Sequence, residues 1–244
     1  MNKKLVILYD NTLYNQNLKS GWGFSCLVVY LKNVVMFDTG ADSETLLYNM
    51  KYFNINPAII NSIVISHMHY DHTGGLKGLL SYKNKNVYIY LPSSALHRDI
   101  KSLEYLGVSS HNIKIIRGPQ KIADNIFSTG SLGGYIKEQS LVINTERGLI
   151  IVTGCAHPGI TYIINTSIKL FRNTPLFVIG GFHLFNKSKK EILKIIEQFK
   201  KLNVKYVSPC HCSGEKAREL FKKEYSNHYI EGGVGKEINI DYLK

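Results

Sequence analysis

The chain has 244 residues, 44% of them apolar and 20% charged, with 20 Gly and 6 Pro, which excludes a disordered, collagen-like or low-complexity protein. Thirty Lys and Arg against 18 Asp and Glu give a formal net charge of +12, a field that attracts anions. The Lys are scattered along polar helix faces such as Lys187 to Lys205 and form no Arg-rich or aromatic-interleaved block, so a nucleic acid is not the expected partner.

The longest apolar runs, Leu149 to Val152 and Leu176 to Ile179, fall far short of the roughly 20 residues of a membrane span, and Met1 to Lys4 leads into a strand rather than a signal core. A soluble, cytoplasmic protein is expected, and the 4 Cys do not make a disulfide framework. At roughly 150 residues per domain the length allows one or two domains. No Pro/Gly/Ser linker and no short repeat divides the sequence, so one domain over residues 1–244 is expected.

In chain order, Leu5 to Tyr9, Ser25 to Tyr30 and Asn33 to Phe37 read as strands, the last two joined by a tight turn at Lys32-Asn33. Ser43 to Met50 reads as a helix, Ile59 to Ser66 as a buried strand, and Gly74 to Tyr82 as a helix with Leu76, Leu79 and Leu80 on one side. Asn86 to Leu91 is expected as strand, Ala95 to Leu106 as helix, Ile113 to Ile116 as strand, and Ser140 to Thr145 with Gly148 to Thr153 as a hairpin. Tyr162 to Phe171 follows as helix, Leu176 to Ile179 as strand, Ser188 to Leu202 as helix and Val204 to Ser208 as strand. Ser188 and Glu191 make a capping-box pair, and Ile192, Ile195, Ile196, Phe199 and Leu202 trace one apolar stripe. Strands in blocks with helices between them suit an α/β fold of two mixed sheets packed together with helices outside both.

The strongest chemical signal is Ser66-His67-Met68-His69-Tyr70-Asp71-His72-Thr73-Gly74-Gly75. Four ligand-type side chains within six residues, between a buried strand and a helix, are costly to desolvate unless something pairs them, and a metal ion does so. In extended chain His67 and His69 project the same way and can grip one ion, while Asp71 and His72 fall where the chain turns and can reach a second position. Gly74 and Gly75 let the backbone pass close beneath. A surface loop of clustered His fits this spacing poorly, and a structural zinc site prefers Cys-rich tetrahedra. Gly232-Gly233-Val234-Gly235-Lys236 lacks the first Gly and the Ser or Thr of a phosphate loop, no GxSxG elbow occurs, and His97, His111 and His228 lie in polar segments and are expected in solvent.

The HxHxDH pattern at His67, His69, Asp71 and His72 resembles the hallmark of the metallo-β-lactamase-fold superfamily. Phe37-Asp38-Thr39-Gly40, Thr153 to Ile160, Gly180-Gly181-Phe182-His183-Leu184 and Pro209-Cys210-His211-Cys212-Ser213-Gly214 look like a prokaryotic branch of its metal-dependent hydrolases. Some members of that branch are dihydropterin-methyl-aminobenzene ribofuranosyl phosphate synthases. The resemblance implies an αββα sandwich with the site at one edge of the two sheets, and two metal positions, zinc first with iron or manganese as alternatives. The first position would use His67 and His69, the second Asp71, His72 and His211. Asp38 would orient a ligand histidine by accepting its other ring N–H.

Two departures stand out. No His occurs between His111 and His157, where the superfamily supplies a third ligand to the first position, so Glu138 and His157 are both candidates. Cys155 falls where a bridging carboxylate is expected, either as a soft thiolate ligand or as a small buried core thiol. His183 is read as a substrate contact or as a histidine capping the next helix. Alternation along an extended chain would turn Cys210 and Cys212 away from His211, so both are given a structural role.

These features lead to a metallohydrolase in which ions supply hydroxide near neutral pH to an ester, lactone, amide or phosphoester of an anionic small molecule. Asp71 would orient the nucleophile, with His183 and nearby Lys holding the anionic part. A diiron redox enzyme of the same fold typically carries Glu where His69 stands and bears a flavin partner domain. A non-catalytic metal-bound sensor is a further alternative, and a nuclease would need a clamp for which 244 residues leave little room. The oligomeric state is not legible.

Overall fold

The computed structural model describes residues 3–82 and 86–244. β1 (Lys4–Tyr9), β2 (Ser25–Tyr30) and β3 (Asn33–Phe37) lead to α1 (Ser43–Tyr52), β4 (Ser62–Val64), the single turn α2 (Tyr70–Thr73) and α3 (Leu76–Ser81). Then come β5 (Tyr88–Pro92), α4 (His97–Tyr105), β6 (Ile113–Ile116), β7 (Gln120–Ala123), β8 (Ile126–Ser128), β9 (Leu141–Thr145) and β10 (Gly148–Thr153). α5 (Ile160–Phe171), β11 (Pro175–Gly181), α6 (Lys189–Lys201), β12 (Tyr206–Cys210), α7 (Glu215–Tyr225) and β13 (Glu237–Asn239) complete the order.

The strands form two mixed sheets, ordered β13-β1-β2-β3-β4-β5-β6 and β12-β11-β10-β9-β8-β7. β3 to β6 run parallel, as do β10, β11 and β12, whereas β1, β2, β7, β8 and β9 are antiparallel to their neighbours. The apolar runs seen in the sequence are strands buried on both faces, as parallel strands between covering layers must be. Leu5, Ile7, Val35, Phe37, Ile150, Val152, Phe177 and Ile179 fill the space between the sheets. The opposite face of the first sheet packs Val6, Met36 and Ile63 against Leu46 and Met50 of α1 and Leu76, Leu79 and Leu80 of α3. Ile151 and Val178 of the second sheet pack against Ile163 of α5, Ile192, Ile196 and Phe199 of α6 and Phe221 of α7. The result is the expected four-layer αββα sandwich.

Most helix and strand boundaries shift by one to three residues from the sequence reading. The β2–β3 turn lies at Leu31-Lys32, with Leu31 at φ 55 and Tyr30 paired to Asn33. The expected strand from Ile59 shrinks to Ser62–Val64, because Asn56 caps a 3-10 turn over Pro57–Ile59 and leaves Ile59 half exposed. The hairpin β7–β8, β13 and α7 were outside the sequence reading. α7 hides its apolar stripe, Ala217, Phe221 and Tyr225 at four-residue spacing, among charged neighbours. Among the described residues, no helix is long and apolar enough to cross a membrane.

The polar segment after β4 is clamped to the first sheet by its backbone. His72 O accepts from Thr39 N at 2.8 Å, Gly40 O from Gly74 N at 2.9 Å, and Asp71 O from Phe24 N at 3.2 Å. This approach needs Gly74, where an added Cβ would run into the Ala41 carbonyl. Gly74→Ala is therefore expected to lower the unfolding free energy by about 1–3 kcal/mol through overpacking, and Ser188→Ala by about 1 kcal/mol through loss of the α6 cap. Urea denaturation reads both, and a neutral Gly74→Ala would contradict the close-approach account.

Candidate metal centre

Strand ends from both sheets deliver the polar side chains to one edge. Asp38 follows β3, Ser66 to His69 follow β4, and α2 carries Asp71 and His72. Cys155, Ala156 and His157 follow β10, Phe182 and His183 follow β11, and His211 and Cys212 follow β12. These are carboxyl ends of parallel strands, where open α/β sheets place their ligands.

Four imidazoles are held from behind through Nδ1, each against an oxygen. His72 Nδ1 lies 2.7 Å from Asp38 Oδ2, His67 Nδ1 2.9 Å from Ser66 Oγ, His157 Nδ1 2.8 Å from Glu138 Oε2 and His211 Nδ1 2.9 Å from Asn11 Oδ1. Ser66 is itself anchored to Asp38, its N–H to Oδ1 at 2.6 Å and its hydroxyl to Oδ2 at 2.7 Å. Asn11 Oδ1 also accepts from Gly23 N at 3.2 Å, so it meets His211 Nδ1 as an acceptor and that nitrogen carries the proton. The Nε2 atoms of these rings turn inward, those of His67 and His72 toward His69 and Cys155 and that of His211 without a hydrogen-bond partner. His69 is reversed, its Nδ1 standing 3.0 Å from His67 Nε2.

The inward atoms fall into overlapping groups whose members lie within 4.8 Å of one another: His67, His69 and His157; Asp71, His72 and His211; and His67, His72 and Cys155. Asp71 Oδ2 is 3.4 Å from His211 Nε2 and 3.7 Å from His72 Nε2, and Cys155 Sγ is 3.3 Å from His72 Nε2. Of the two candidates for the place beside His67 and His69, the structure brings His157 there and sets Glu138 behind it. Both Glu138 oxygens are spent on Cys155 N, Ala156 N, His157 N and His157 Nδ1, at 2.8 to 2.9 Å. Asp38 stands behind His72.

His183 is exposed at the mouth of the site, its ring 4.7 Å from that of His157. Cys210 lies in the core between the sheets, and Cys212 is buried with its Sγ 3.5 Å from Cys155 O. Its side chain joins Cys155 and His183, because the chain leaves β12 in a 3-10 turn over His211–Ser213 with His211 at φ 46, and strand alternation no longer applies. Sequence reasoning also missed Asp10 and Asn11, which hold the backbone N–H and the ring of His211, and Trp22, whose ring stands edge-on to His211 at 5.1 Å. A buried carboxylate directly after the apolar run of β1 was the available signal. His97, His111 and His228 are exposed.

Electrostatics sets the protonation of these donors. Burial, reinforced by the neighbouring imidazoles, lowers His67 to about 3 and His72 to about 4, so both keep a free lone pair at neutral pH. Burial alone would raise Glu138, but the His157 hydrogen bond and the His67 and His157 charges pull it down to about 2. Burial likewise opposes ionisation of Asp71, and His211 and His72 hold it well below the usual carboxylate range. The neutral imidazoles of His67 and His72 beside the ionised carboxylate of Asp71 are donors suited to divalent cations.

Comparison with known proteins agrees with this geometry. A family model described as the metallo-beta-lactamase superfamily matches residues 22–163. The 7,8-dihydropterin-6-methyl-4-(beta-D-ribofuranosyl)-aminobenzene-5'-phosphate synthase of Methanocaldococcus jannaschii is 33% identical, over 97% of this chain and 96% of that protein. The crystal structure of Tm1679, a metal-dependent hydrolase of the beta-lactamase superfamily, superposes with a TM-score of 0.80 at 28% identity, covering 98% of this chain and 99% of that one. Human tRNase Z, short form, shares the fold at a TM-score of 0.64 and 14% identity, covering 97% and 99% of the two chains.

Each Glu138 oxygen accepts two N–H groups, so an amide at this position must turn its NH2 against donors whichever way it faces. Glu138→Gln is expected to destabilise the metal-free protein by about 1–3 kcal/mol, the cost of leaving buried donors unpaired. Thermal unfolding checks this, and an unchanged midpoint would contradict the role given to Glu138.

Proposed function

Because the chain belongs to the metallo-β-lactamase superfamily, we propose that it is a metal-dependent hydrolase, with one divalent cation held by His67, His69 and His157 and a second by Asp71, His72 and His211, and Cys155 between them. The observation that carries the reading is the set of Nε2 atoms fixed inward by acceptors behind each ring. His211 Nε2 is buried, stands 3.4 Å from Asp71 Oδ2 and has no hydrogen-bond partner, an orphaned polar atom that a cation shared with Asp71 would satisfy. The mixture of imidazole, carboxylate and thiol fits zinc first, with iron or manganese as alternatives.

Such ions, when bound, lower the pKa of water from about 15.7 toward 7 and polarise a carbonyl or phosphoryl oxygen. The chain's own groups do the rest. Asp71, held ionised, accepts a hydrogen bond from the attacking water and fixes its direction toward the substrate. Asp38 and Glu138 keep the imidazoles of His72 and His157 in one orientation, so neither ring must reorganise as charge develops. The net charge of +12 draws in an anionic ester, lactone, amide or phosphoester. Four unpaired thiols suit a reducing compartment, and we place the enzyme in the cytoplasm.

A second reading, that the chain is a synthase, is favoured by its 33% identity along almost the full length of a protein of that name. Metal-loaded protein incubated with lactone, ester, amide and phosphoester panels, and assayed in parallel for the product named in that relative, separates the two. Hydrolysis without conjugate supports the first reading, and conjugate without hydrolysis replaces it with the second.

His69→Ala and Asp71→Ala are each expected to abolish turnover and release metal while far-UV circular dichroism stays native. Wild-type rates in either variant would defeat the assignment. Asp38→Asn should keep the fold but weaken metal affinity about 10- to 100-fold, as loss of a partner behind a ligand histidine does; calorimetric metal titration reads the change.

A further inference from the structure

We propose that Cys155, His183 and Cys212 form a third cation position, selective for a soft divalent ion such as zinc, beside the two histidine-rich groups. The ligand atoms of these three residues lie within 4.8 Å of one another. Around a tetrahedral zinc, with Zn–S of about 2.3 Å and Zn–N of about 2.0 Å, ligand atoms stand roughly 3.5–3.8 Å apart. A contraction of at most about 1.3 Å closes the set. Cys155 and Cys212 are buried and His183 is the exposed member, so the fourth coordination place opens toward solvent, as in catalytic rather than closed structural zinc sites.

Backbone packs closely around the Cys212 sulfur. A Cβ on Gly181 would run into Gly154 O and lie 2.6 Å from Cys212 Sγ and 3.2 Å from Cys155 Cα, so a side chain there would press on the Gly154 backbone and on the thiol alike. Left-handed backbone at Ala156, His183 and His211, φ 59, 53 and 46, turns the three strand ends so that these side chains converge. Such strain in non-glycine residues must be offset by surrounding structure and concentrates at functional sites. The other two thiols are treated differently, since Cys26 and Cys210 sit in the apolar core between the sheets.

Binding follows simple stoichiometry. The ion displaces one proton from each thiol to solvent, and two thiolates with a neutral imidazole leave the complex without net charge. Apart from the shared Cys155, the position stands independently of the two-cation reading.

The test is a Cd2+ titration of reduced, metal-stripped full-length protein, following bound equivalents by calorimetry and sulfur-to-metal charge transfer by ultraviolet absorption. Wild-type protein should take up one equivalent with a two-thiolate absorption that depends on Cys212 and His183. Cys212→Ser should lose that equivalent and about half of the absorption. His183→Asn, an exposed change to a residue that tolerates left-handed backbone, should weaken the same equivalent at least tenfold with unaltered circular dichroism. His69→Ala should lose a different equivalent and keep the two-thiolate absorption; retaining every equivalent there would count against the two-cation reading alone. Equal stoichiometry and absorption in wild type, Cys212→Ser and His183→Asn would overturn the third position.

Discussion

A buried neutral imidazole has one proton and one lone pair, and the surrounding protein decides which way each points. Here Asp38, Ser66, Glu138 and Asn11 stand behind the Nδ1 atoms of His72, His67, His157 and His211. The lone pairs on Nε2 are thereby committed to a common interior. Leaving a buried polar atom unpaired costs about 1–3 kcal/mol, and His211 Nε2 is buried without a hydrogen-bond partner beside Asp71, an electrostatic cost that a cation there would remove. The arrangement is worth keeping only if such a charge arrives.

The supporting residues come from distant parts of the chain. Asp38 follows β3, Asn11 follows β1, and Glu138 lies in the segment before β9, where its carboxylate also gathers three successive backbone N–H groups after β10. The two packed sheets are therefore the device that brings carboxyl-terminal strand ends from both halves to one edge. Strain at Ala156, His183 and His211 belongs to the same economy: rigid cores between and outside the sheets supply the stability against which three left-handed residues are held.

The fold and the heart of the site were legible in the sequence to different degrees. His67, His69, Asp71 and His72 could be read together because one short segment holds them, and the apolar runs of β10 and β11 because parallel strands are buried on both faces. α6 announced itself through its capping box and stripe. What was not legible depends on the third dimension. The choice between His157 and Glu138 is made by a carboxylate that turns back on three backbone N–H groups, and no spacing encodes that. The place of Cys212 beside Cys155 and His183 was not legible because strand alternation stops with β12 at Cys210 and a 3-10 turn follows over His211–Ser213. Asn11 makes its contact with His211 across 200 positions of sequence.

Between them the histidine groups and the Cys155–His183–Cys212 cluster form a continuous band of donors along the sheet edge. The central claim is that this band exists to hold cations. Anomalous diffraction from crystals of metal-loaded protein, recorded at the zinc, iron and manganese edges, tests it most directly. The account predicts one peak enclosed by His67, His69 and His157 and another by Asp71, His72 and His211; a map with no anomalous density among these side chains, in protein with native structure elsewhere, would contradict it.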